Sequence, residues 1–139
     1  MEYKQEIRVL YGDTDAYGVV WHGAYTKWFE AARVEAVEKS LGINLPELEK
    51  NGILFPVVEM NIRYKSSAKI NDRIIIKTRV SEVSPISIKF RSEVYDKQSG
   101  ILRVIGEVTV VLTNAQTGKM YRRMPEELFK KFLQAKESD

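Results

Sequence analysis

The spacing of hydrophobic and polar residues changes along the chain and predicts where strands and helices lie. Ile7 and Val9 alternate with polar residues over residues 6–11, which predicts a short N-terminal strand. Over residues 24–41 the apolar positions recur at helical intervals with charged residues between them, and this spacing predicts one long helix. Those apolar positions are Tyr25, Trp28, Phe29, Ala32, Ala36 and Val37.

The middle of the chain returns to an alternating pattern. Residues 54–65, 73–83, 86–96 and 101–113 are rich in β-branched side chains and are separated by turn residues, so we predict four strands. Short connections between consecutive strands indicate antiparallel pairing. In the first of these strands, apolar residues at every second position predict one face toward a core and an opposite face toward water. The apolar positions are Val58, Met60, Ile62 and Tyr64.

Two shorter helices and the order of the elements complete the predicted fold. Gly42 suits the end of the long helix, residues 45–50 read as a helical turn after Asn44, and residues 125–134 read as an amphipathic C-terminal helix. One long helix followed by consecutive antiparallel strands predicts an α+β fold whose sheet curls around that helix. With 139 residues and 44% hydrophobic content, residues 1–139 are expected to form a single domain.

Composition removes several classes of function. The 22 Lys and Arg against 19 Asp and Glu give a formal charge of +3, which does not require nucleic acid as a partner. The lack of cysteine excludes disulfides, thiolate zinc sites and a cysteine nucleophile, and one histidine is too few for an ordinary zinc or iron site. We therefore expect neither a metal nor another cofactor. No apolar segment reaches the roughly 20 residues of a membrane span, and no signal peptide is recognisable, which predicts a cytoplasmic protein without membrane insertion.

Candidate chemistry is concentrated in residues 11–25, YGDTDAYGVVWHGAY, which hold two carboxylates and the single histidine before a helix. Asp15, ahead of the helix start, suits a general base acting on water or a nucleophile acting on a carbonyl. Asp13 would lie on the strand and suits a structural role. For both aspartates the alternative is an Asx hydrogen bond to nearby backbone.

The start of the predicted helix adds donors to this segment. Backbone N–H groups near His22 and Gly23 have no intrahelical partner and suit a developing oxyanion, while Gly23 leaves room for close approach of a ligand. His22 suits proton transfer or substrate positioning, with a structural role as the alternative. Trp21 lies in the loop and is free to meet a ligand. Tyr25 and Trp28 either line an acyl pocket or pack in the core.

A set of basic residues occupies odd positions on what the sequence predicts to be two adjacent strands. Such a row suits the phosphates of a small molecule, with a solvated sheet face as the alternative. The residues are Arg63, Lys65, Lys69, Arg73, Lys77 and Arg79.

Two segments carry a family resemblance that covers most of the chain. YGDTDAYGVVWHGAYTKWFEAAR and FPVVEMNIRYKSSAKINDRIIIKTRV resemble the 4-hydroxybenzoyl-CoA thioesterase-like hotdog proteins, and most closely the acyl-CoA thioesterases associated with the Tol-Pal system. The resemblance implies a hotdog fold, in which an antiparallel sheet wraps a central helix. It also implies subunits that pair through their sheets, tetramers built as dimers of dimers, and active sites at the dimer interface.

The resemblance also implies roles for individual residues. The family's catalytic aspartate falls on Asp15 and its histidine on His22, while the amides around His22 and Gly23 match the site that polarises the thioester carbonyl. The implied reaction is hydrolysis of acyl-CoA to free acid and CoA, with Trp21 and Tyr25 near the acyl group. An acyl carrier protein is the alternative carrier of the thioester.

The chain departs from its relatives at several positions. Ser67 and Asn71 stand where relatives often carry proline and glycine. Ser84, Pro85 and Ile86 stand where the aromatic-CoA branch has basic residues, so we expect Arg63 and Lys65 to meet the CoA phosphates instead.

Two alternatives to hydrolysis remain. One is a non-catalytic module of the same fold that binds acyl-CoA or acyl carrier protein. The other is a hydratase of this fold class, although the more widely spaced aspartate and histidine of hydratases are not recognisable.

Overall fold

The computed structural model describes residues 1–138, which form a curved antiparallel sheet with helices on one face. The elements in chain order are β1 (Glu2–Arg8), a 3₁₀ turn (Tyr11–Asp13), α1 (His22–Glu35) with a π-helical turn (Ala36–Ser40), α2 (Leu45–Lys50), β2 (Ile53–Leu54), β3 (Val57–Tyr64), β4 (Arg73–Val83), β5 (Ser87–Asp96), β6 (Leu102–Val111), β7 (Thr113–Asn114) and α3 (Glu126–Glu137).

The described residues place five strands in one sheet, in the order β1-β4-β5-β6-β3, and pair the two short strands β2 and β7. All of these pairs are antiparallel. The long helix, the antiparallel sheet and the α+β class are therefore confirmed. None of the helices in the part of the chain that the structure describes is long and apolar enough to cross a membrane.

The core lies between the even-numbered side chains of the central strands and the helices. Residues of α1 pack with one end of the sheet, among them Phe29 against Val94 and Val104. Residues of α3 pack with the other end, among them Phe132 with Phe90. The two helices thus cover successive parts of one sheet face, and the N-terminal end of α1 lies near the end of the sheet that α3 leaves uncovered.

The N-terminal strand lies earlier than the sequence indicated. β1 runs over Glu2–Arg8. The sequence did not reveal its first half because one of its inward positions is the polar Gln5, which interrupts the alternation of apolar and polar residues. The strand ends at Arg8, the Leu10 N–H donates to Asp13 Oδ2 at 2.9 Å, and a 3₁₀ turn begins at Tyr11. The prediction of a strand over residues 6–11 is wrong in its second half for this reason.

The strand predicted over residues 54–65 is two strands, and its apolar face is only partly covered. Met60 lies opposite Val108 and Ile62 opposite Gly106, so these side chains point to the helix side of the sheet as expected. However, β3 is an edge strand that α1 covers only in part, through contacts such as Tyr25 with Tyr64, and Val58 and Tyr64 are 57% and 52% exposed. The prediction that this row belongs to the core is therefore wrong for most of its length.

The predicted row of basic residues is divided by the sheet order. Because β5 and β6 lie between β3 and β4, Arg63 is separated from Lys77, the β4 residue in its register row, by three strand spacings, or roughly 14 Å. Arg73 lies four residues earlier on β4. The intervening strands carry Glu93 and Glu107, which pair with Arg91 on the same face. The two strands are thus not adjacent, and the six cations do not form one continuous patch.

Asn71 adopts a backbone conformation that glycine adopts more easily than other residues. Its backbone φ is 70°, a left-handed conformation that asparagine adopts more readily than most residues. The Asn71 N–H donates to the Val9 carbonyl at 2.9 Å, and Arg8 Nη2 donates to Asn71 Oδ1 at 3.0 Å. The turn before β4 therefore keeps its conformation without glycine.

A second tie joins β1 to the far end of α1. The Tyr3 hydroxyl donates a hydrogen bond to Glu35 Oε2, and Lys39 Nζ lies 3.4 Å from the same oxygen. The hydrogen bond from Tyr3, followed by that from Lys39, lowers the pKa of Glu35 below its ordinary value. The edge strand is thereby attached to the helix as well as to β4.

Gly106 lets α1 approach the sheet. A methyl group at Gly106 would lie 2.4 Å from the Phe29 ring, and that ring is almost fully buried. Any larger residue at this position would push the aromatic ring, and with it the helix, away from β6.

We expect Gly106→Ala to destabilise the protein by about 1 to 3 kcal/mol, the range for overpacking a tight core. The measurement is the free energy of unfolding in urea. Gly12→Ala is the matched control, because a methyl group there meets nothing within 4 Å, and its effect should stay within about 0.5 kcal/mol. Equal effects of the two substitutions would contradict the proposed contact.

Candidate active site

Asp15 lies in a tight turn between β1 and α1. The Asp15 N–H donates to the Val19 carbonyl at 2.9 Å, and the Gly18 N–H donates to the Asp15 carbonyl at 3.0 Å. Gly18 has a φ of 77°, which closes the turn at little steric cost for glycine. The loop is thus a small ordered hairpin that holds Asp15 at its base.

The carboxylate of Asp15 combines the two roles that the sequence left open. Its Oδ1 accepts a hydrogen bond from the Tyr17 N–H at 2.8 Å, which is the Asx arrangement. The side chain is nevertheless exposed, and within residues 1–138 its Oδ2 has no hydrogen-bond partner. One oxygen therefore sets the orientation of the carboxylate, while the other is free to act on a substrate or a water molecule.

Asp13 has a structural position. Its Oδ2 accepts from the Leu10 N–H at 2.9 Å, and its carbonyl accepts from the Trp21 N–H at 3.0 Å. The first contact ends β1 and the second holds the residue that precedes α1. Asp13 thus connects both ends of the loop that carries Asp15.

The helix start presents unpaired backbone donors beside this loop. α1 begins at His22, and Trp21 has an extended backbone and provides no side-chain cap. The Ala24 N–H donates to the Trp21 carbonyl at 3.0 Å, whereas in the described chain the N–H groups of His22 and Gly23 have no hydrogen-bond acceptor. Such donors, at the positive end of a helix dipole, suit an oxygen that gains negative charge.

Trp21 covers the first turn of the helix. A methyl group at Gly23 would lie 2.1 Å from the Trp21 ring, so only glycine lets the indole lie there. The ring also makes an edge contact with the His22 imidazole, with centroids 5.5 Å apart. The Trp21 indole therefore occupies the space beside Gly23 that the sequence assigned to a ligand, so that expectation is wrong for this structure, and Trp21 is itself 43% exposed.

Tyr25 is buried and supports the site from below. Its ring makes edge contacts with Trp28 and Tyr64, and its hydroxyl accepts from the Ala68 N–H at 3.3 Å. Burial raises the pKa of the Tyr25 hydroxyl. Because the Ala68 carbonyl in turn accepts from the Val20 N–H at 2.9 Å, Tyr25 links the helix to both neighbouring loops.

The cations assigned to phosphate binding lie at different places. Arg63 is exposed on the face of β3 that points away from α1, whereas Lys65 follows Tyr64, which contacts the first turn of α1. Lys69 forms a β-bridge with Val19 and so lies beside the Asp15 turn. Lys65 and Lys69 are therefore the cations of this set that lie near the candidate site. Both lie in the loop between β3 and β4, so the alternation of side chains along the strands does not predict where they lie.

The contact between Trp21 and Gly23 can be measured by a double-mutant cycle. Gly23→Ala alone should not raise stability, because the methyl group displaces the Trp21 ring. In a Trp21→Ala background the same change should stabilise the protein by roughly 0.5 to 1 kcal/mol through helix propensity. The readout is the free energy of unfolding in urea, and additive effects would show that the ring does not lie over Gly23.

Comparison with known proteins identifies the family. The model of the thioesterase-like superfamily matches residues 9–132. An acyl-CoA thioesterase, YbgC of Haemophilus influenzae, is 33% identical, with the alignment covering 82% of this chain and 81% of that protein. The acyl-CoA thioester hydrolase YbgC of Escherichia coli O157:H7 is 28% identical, covering 95% of this chain and 96% of that protein.

A solved structure agrees with these relatives. The DHNA-CoA thioesterase from Staphylococcus aureus superposes with a TM-score of 0.85 at 30% identity, and the match covers 99% of this chain and 89% of that one. The hotdog resemblance seen in the sequence is thereby confirmed. The chain belongs to the thioesterase-like superfamily and is a thioester hydrolase with the hotdog fold.

Proposed function

We propose that the protein hydrolyses acyl-CoA thioesters to the free acid and CoA, with Asp15 as the catalytic residue. The observation that carries this proposal is the exposed Asp15 carboxylate, oriented by the Tyr17 N–H, in the loop that leads to the unpaired amides at the start of α1. A base or nucleophile and a pair of oxyanion donors are the two parts that acyl transfer requires.

The reaction follows from these two parts. The N–H groups of His22 and Gly23 polarise the thioester carbonyl and stabilise the charge on its oxygen in the tetrahedral intermediate. In one route Asp15 takes a proton from water as that water attacks the carbonyl carbon, the C–S bond breaks, and the sulfur leaves as CoA thiolate. In the other route the carboxylate attacks the carbonyl carbon, the C–S bond breaks and CoA thiolate leaves, and water then hydrolyses the resulting acyl-enzyme anhydride to the free acid and the regenerated carboxylate.

The neighbouring side chains position the substrate in this proposal. Trp21 lies over the helix start, where it can contact the acyl group or the pantetheine arm, and Tyr25 holds the loop behind it. His22 orients the substrate through its imidazole. Lys65 and the more distant Arg63 supply positive charge for the CoA phosphates. The relatives support acyl-CoA as the class of substrate, since both YbgC proteins are named for activity on acyl-CoA thioesters.

Replacement of Asp15 tests the mechanism. Asp15→Asn removes the base but keeps the side-chain oxygen that accepts from Tyr17, so kcat should fall by roughly 10²- to 10⁴-fold while the fold is retained. The measurement is thiol release from a panel of acyl-CoA and acyl-carrier-protein thioesters. His22→Ala should have a smaller effect, consistent with a positioning role.

Asp13→Asn is the matched control for this experiment. It also keeps an oxygen for the Leu10 N–H, and its kcat should stay within a few-fold of wild type because Asp13 holds only backbone groups. Wild-type turnover in Asp15→Asn would exclude Asp15 as the catalyst. Tight binding of acyl-CoA without any thiol release from the wild-type protein would favour the alternative, a non-catalytic binding module.

We propose that the protein is a homo-oligomer, a tetramer built as a dimer of dimers, that pairs through the edge of its sheet at β3. The two sheet edges differ in a way that supports this pairing. β1 presents charged residues such as Lys4 and Glu6 at its edge, which discourages strand addition. The β3 edge exposes apolar side chains that a second subunit would cover. We call these residues the β3 patch: Val57, Val58, Met60 and Tyr64.

Charges introduced on the β3 patch should dissociate the oligomer. The double variant Val58→Lys with Met60→Lys buries two unpaired ammonium groups in the proposed interface, so a lower mass is expected by sedimentation velocity. Ile86→Lys is the control, because Ile86 is exposed to a similar extent and lies in the turn between β4 and β5, with β6 between β5 and β3. An unchanged mass in the double variant would contradict pairing through β3.

The single domain and the cytoplasmic location expected from the sequence stay predictions.

A further inference from the structure

A cavity of about 530 Å³ lies beside the C-terminal half of α1. Its walls come from α1, α2, the segment around β2, the central strands and α3, and most of the contributing side chains are apolar. The aromatic and aliphatic part of the wall is formed by Val34, Val37, Phe55, Phe90, Val110 and Phe132. A cavity of this size is in the range that holds a small organic ligand.

Arg33 is the only cation among the described residues that line this cavity. Its Nη1 is buried and has no hydrogen-bond partner, and none of the described carboxylates forms an ion pair with the guanidinium. Burial lowers the pKa of Arg33, with nearby Glu30 acting in the opposite direction. A buried donor without an acceptor is costly, and a ligand that supplied an acceptor would remove that cost.

The charge around the cavity restricts the kind of acceptor. Glu30, Glu38 and Glu49 are exposed residues at its margin, so three carboxylates surround one guanidinium. A ligand carboxylate would meet repulsion from this excess of negative charge. A hydroxyl or carbonyl oxygen carries no net charge and can accept from the guanidinium without that penalty.

Distance along the helix limits which part of a bound acyl group the cavity could receive. Arg33 lies ten residues after Gly23 on α1, which corresponds to a rise of roughly 15 Å. The thioester carbonyl, held at the helix start, is therefore far from this wall within one chain. Only the part of an acyl group remote from the carbonyl can occupy the cavity.

We propose that this cavity binds the distal part of the acyl group and that Arg33 selects acyl groups carrying a neutral oxygen acceptor, a hydroxyl or a carbonyl, on an otherwise apolar body. The inference rests on the proposed acyl-CoA hydrolysis and adds the substrate class. Arg33 is a specificity-determining residue in this account, because its contact is with the substrate and not with the reacting carbonyl.

Binding of non-hydrolysable CoA thioethers tests the proposal apart from turnover. The probes are S-alkyl-CoA compounds of increasing chain length, each beside its terminal-hydroxyl and terminal-carboxylate counterpart. At the length that fills the cavity, the hydroxyl compound should bind about tenfold more tightly than the unsubstituted one, as expected for a hydrogen bond to a charged donor. The carboxylate compound should show no such gain.

Arg33→Met keeps the apolar stem and removes the donors, so its preference for the hydroxyl compound should fall to less than about twofold. Arg33→Leu, which also removes the donors and keeps an apolar side chain, serves as the second variant with the same expected loss of preference if the methionine variant does not fold. Arg91→Met is the matched control, since Arg91 is a half-buried arginine on the opposite face of the sheet, and it should keep the wild-type preference.

The outcomes separate this inference from the proposed function. Equal binding of both compounds at every chain length, or an unchanged preference in Arg33→Met, overturns the role of Arg33. A hydroxyl preference that depends on Arg33, together with no thiol release from any acyl-CoA, supports the cavity assignment and refutes the hydrolysis. Thiol release without a hydroxyl preference supports the hydrolysis and refutes the role of Arg33.

Discussion

Close contact between the Phe29 ring and the backbone of β6 at Gly106 is the constraint on which the arrangement of this protein depends. A helix that packs on a sheet normally stands off by the length of the intervening side chains. Here the missing side chain at Gly106 lets an aromatic ring lie directly against the strand. The position of α1 relative to the sheet then sets two things at once. Its first turn meets the loops that carry Asp15 and Ala68, and its second half forms one wall of the cavity that Arg33 lines.

Much of the fold could be predicted from the spacing of apolar residues. The helix over His22–Glu35 and the strand over Arg73–Val83 follow strong periodic patterns, because both elements bury one continuous face. β1 was placed too late, since its inward face includes a polar residue. The exposure of β3 could not be predicted, because a strand at the edge of a sheet has the same alternation as one at its centre. Strand order is a property of the whole chain, so the basic residues on β3 and β4 only looked like neighbours.

The candidate site was easier to locate than to describe. A carboxylate, a histidine and a glycine before a helix are visible in the sequence, and they do lie in one loop and the helix turn that follows it. The different roles of Asp13 and Asp15 depend on which backbone N–H donates to each carboxylate, and the residue types alone do not show this. In the sequence, Arg33 is one of the charged residues that lie between the apolar positions of the helix. Its place in the wall of a cavity depends on α2, β2 and α3, which form other parts of that wall and are distant from Arg33 in the sequence.

The placement of the two tryptophans makes the site observable by light. Trp28 is buried in contact with Tyr25, whereas Trp21 lies at the solvent boundary over the first turn of α1. With Trp28 replaced by phenylalanine, the tryptophan fluorescence of the protein would come from a single indole next to the unpaired amides at the start of α1. Its emission would then report the arrival of a substrate at the helix start directly, without a label and before any bond is broken.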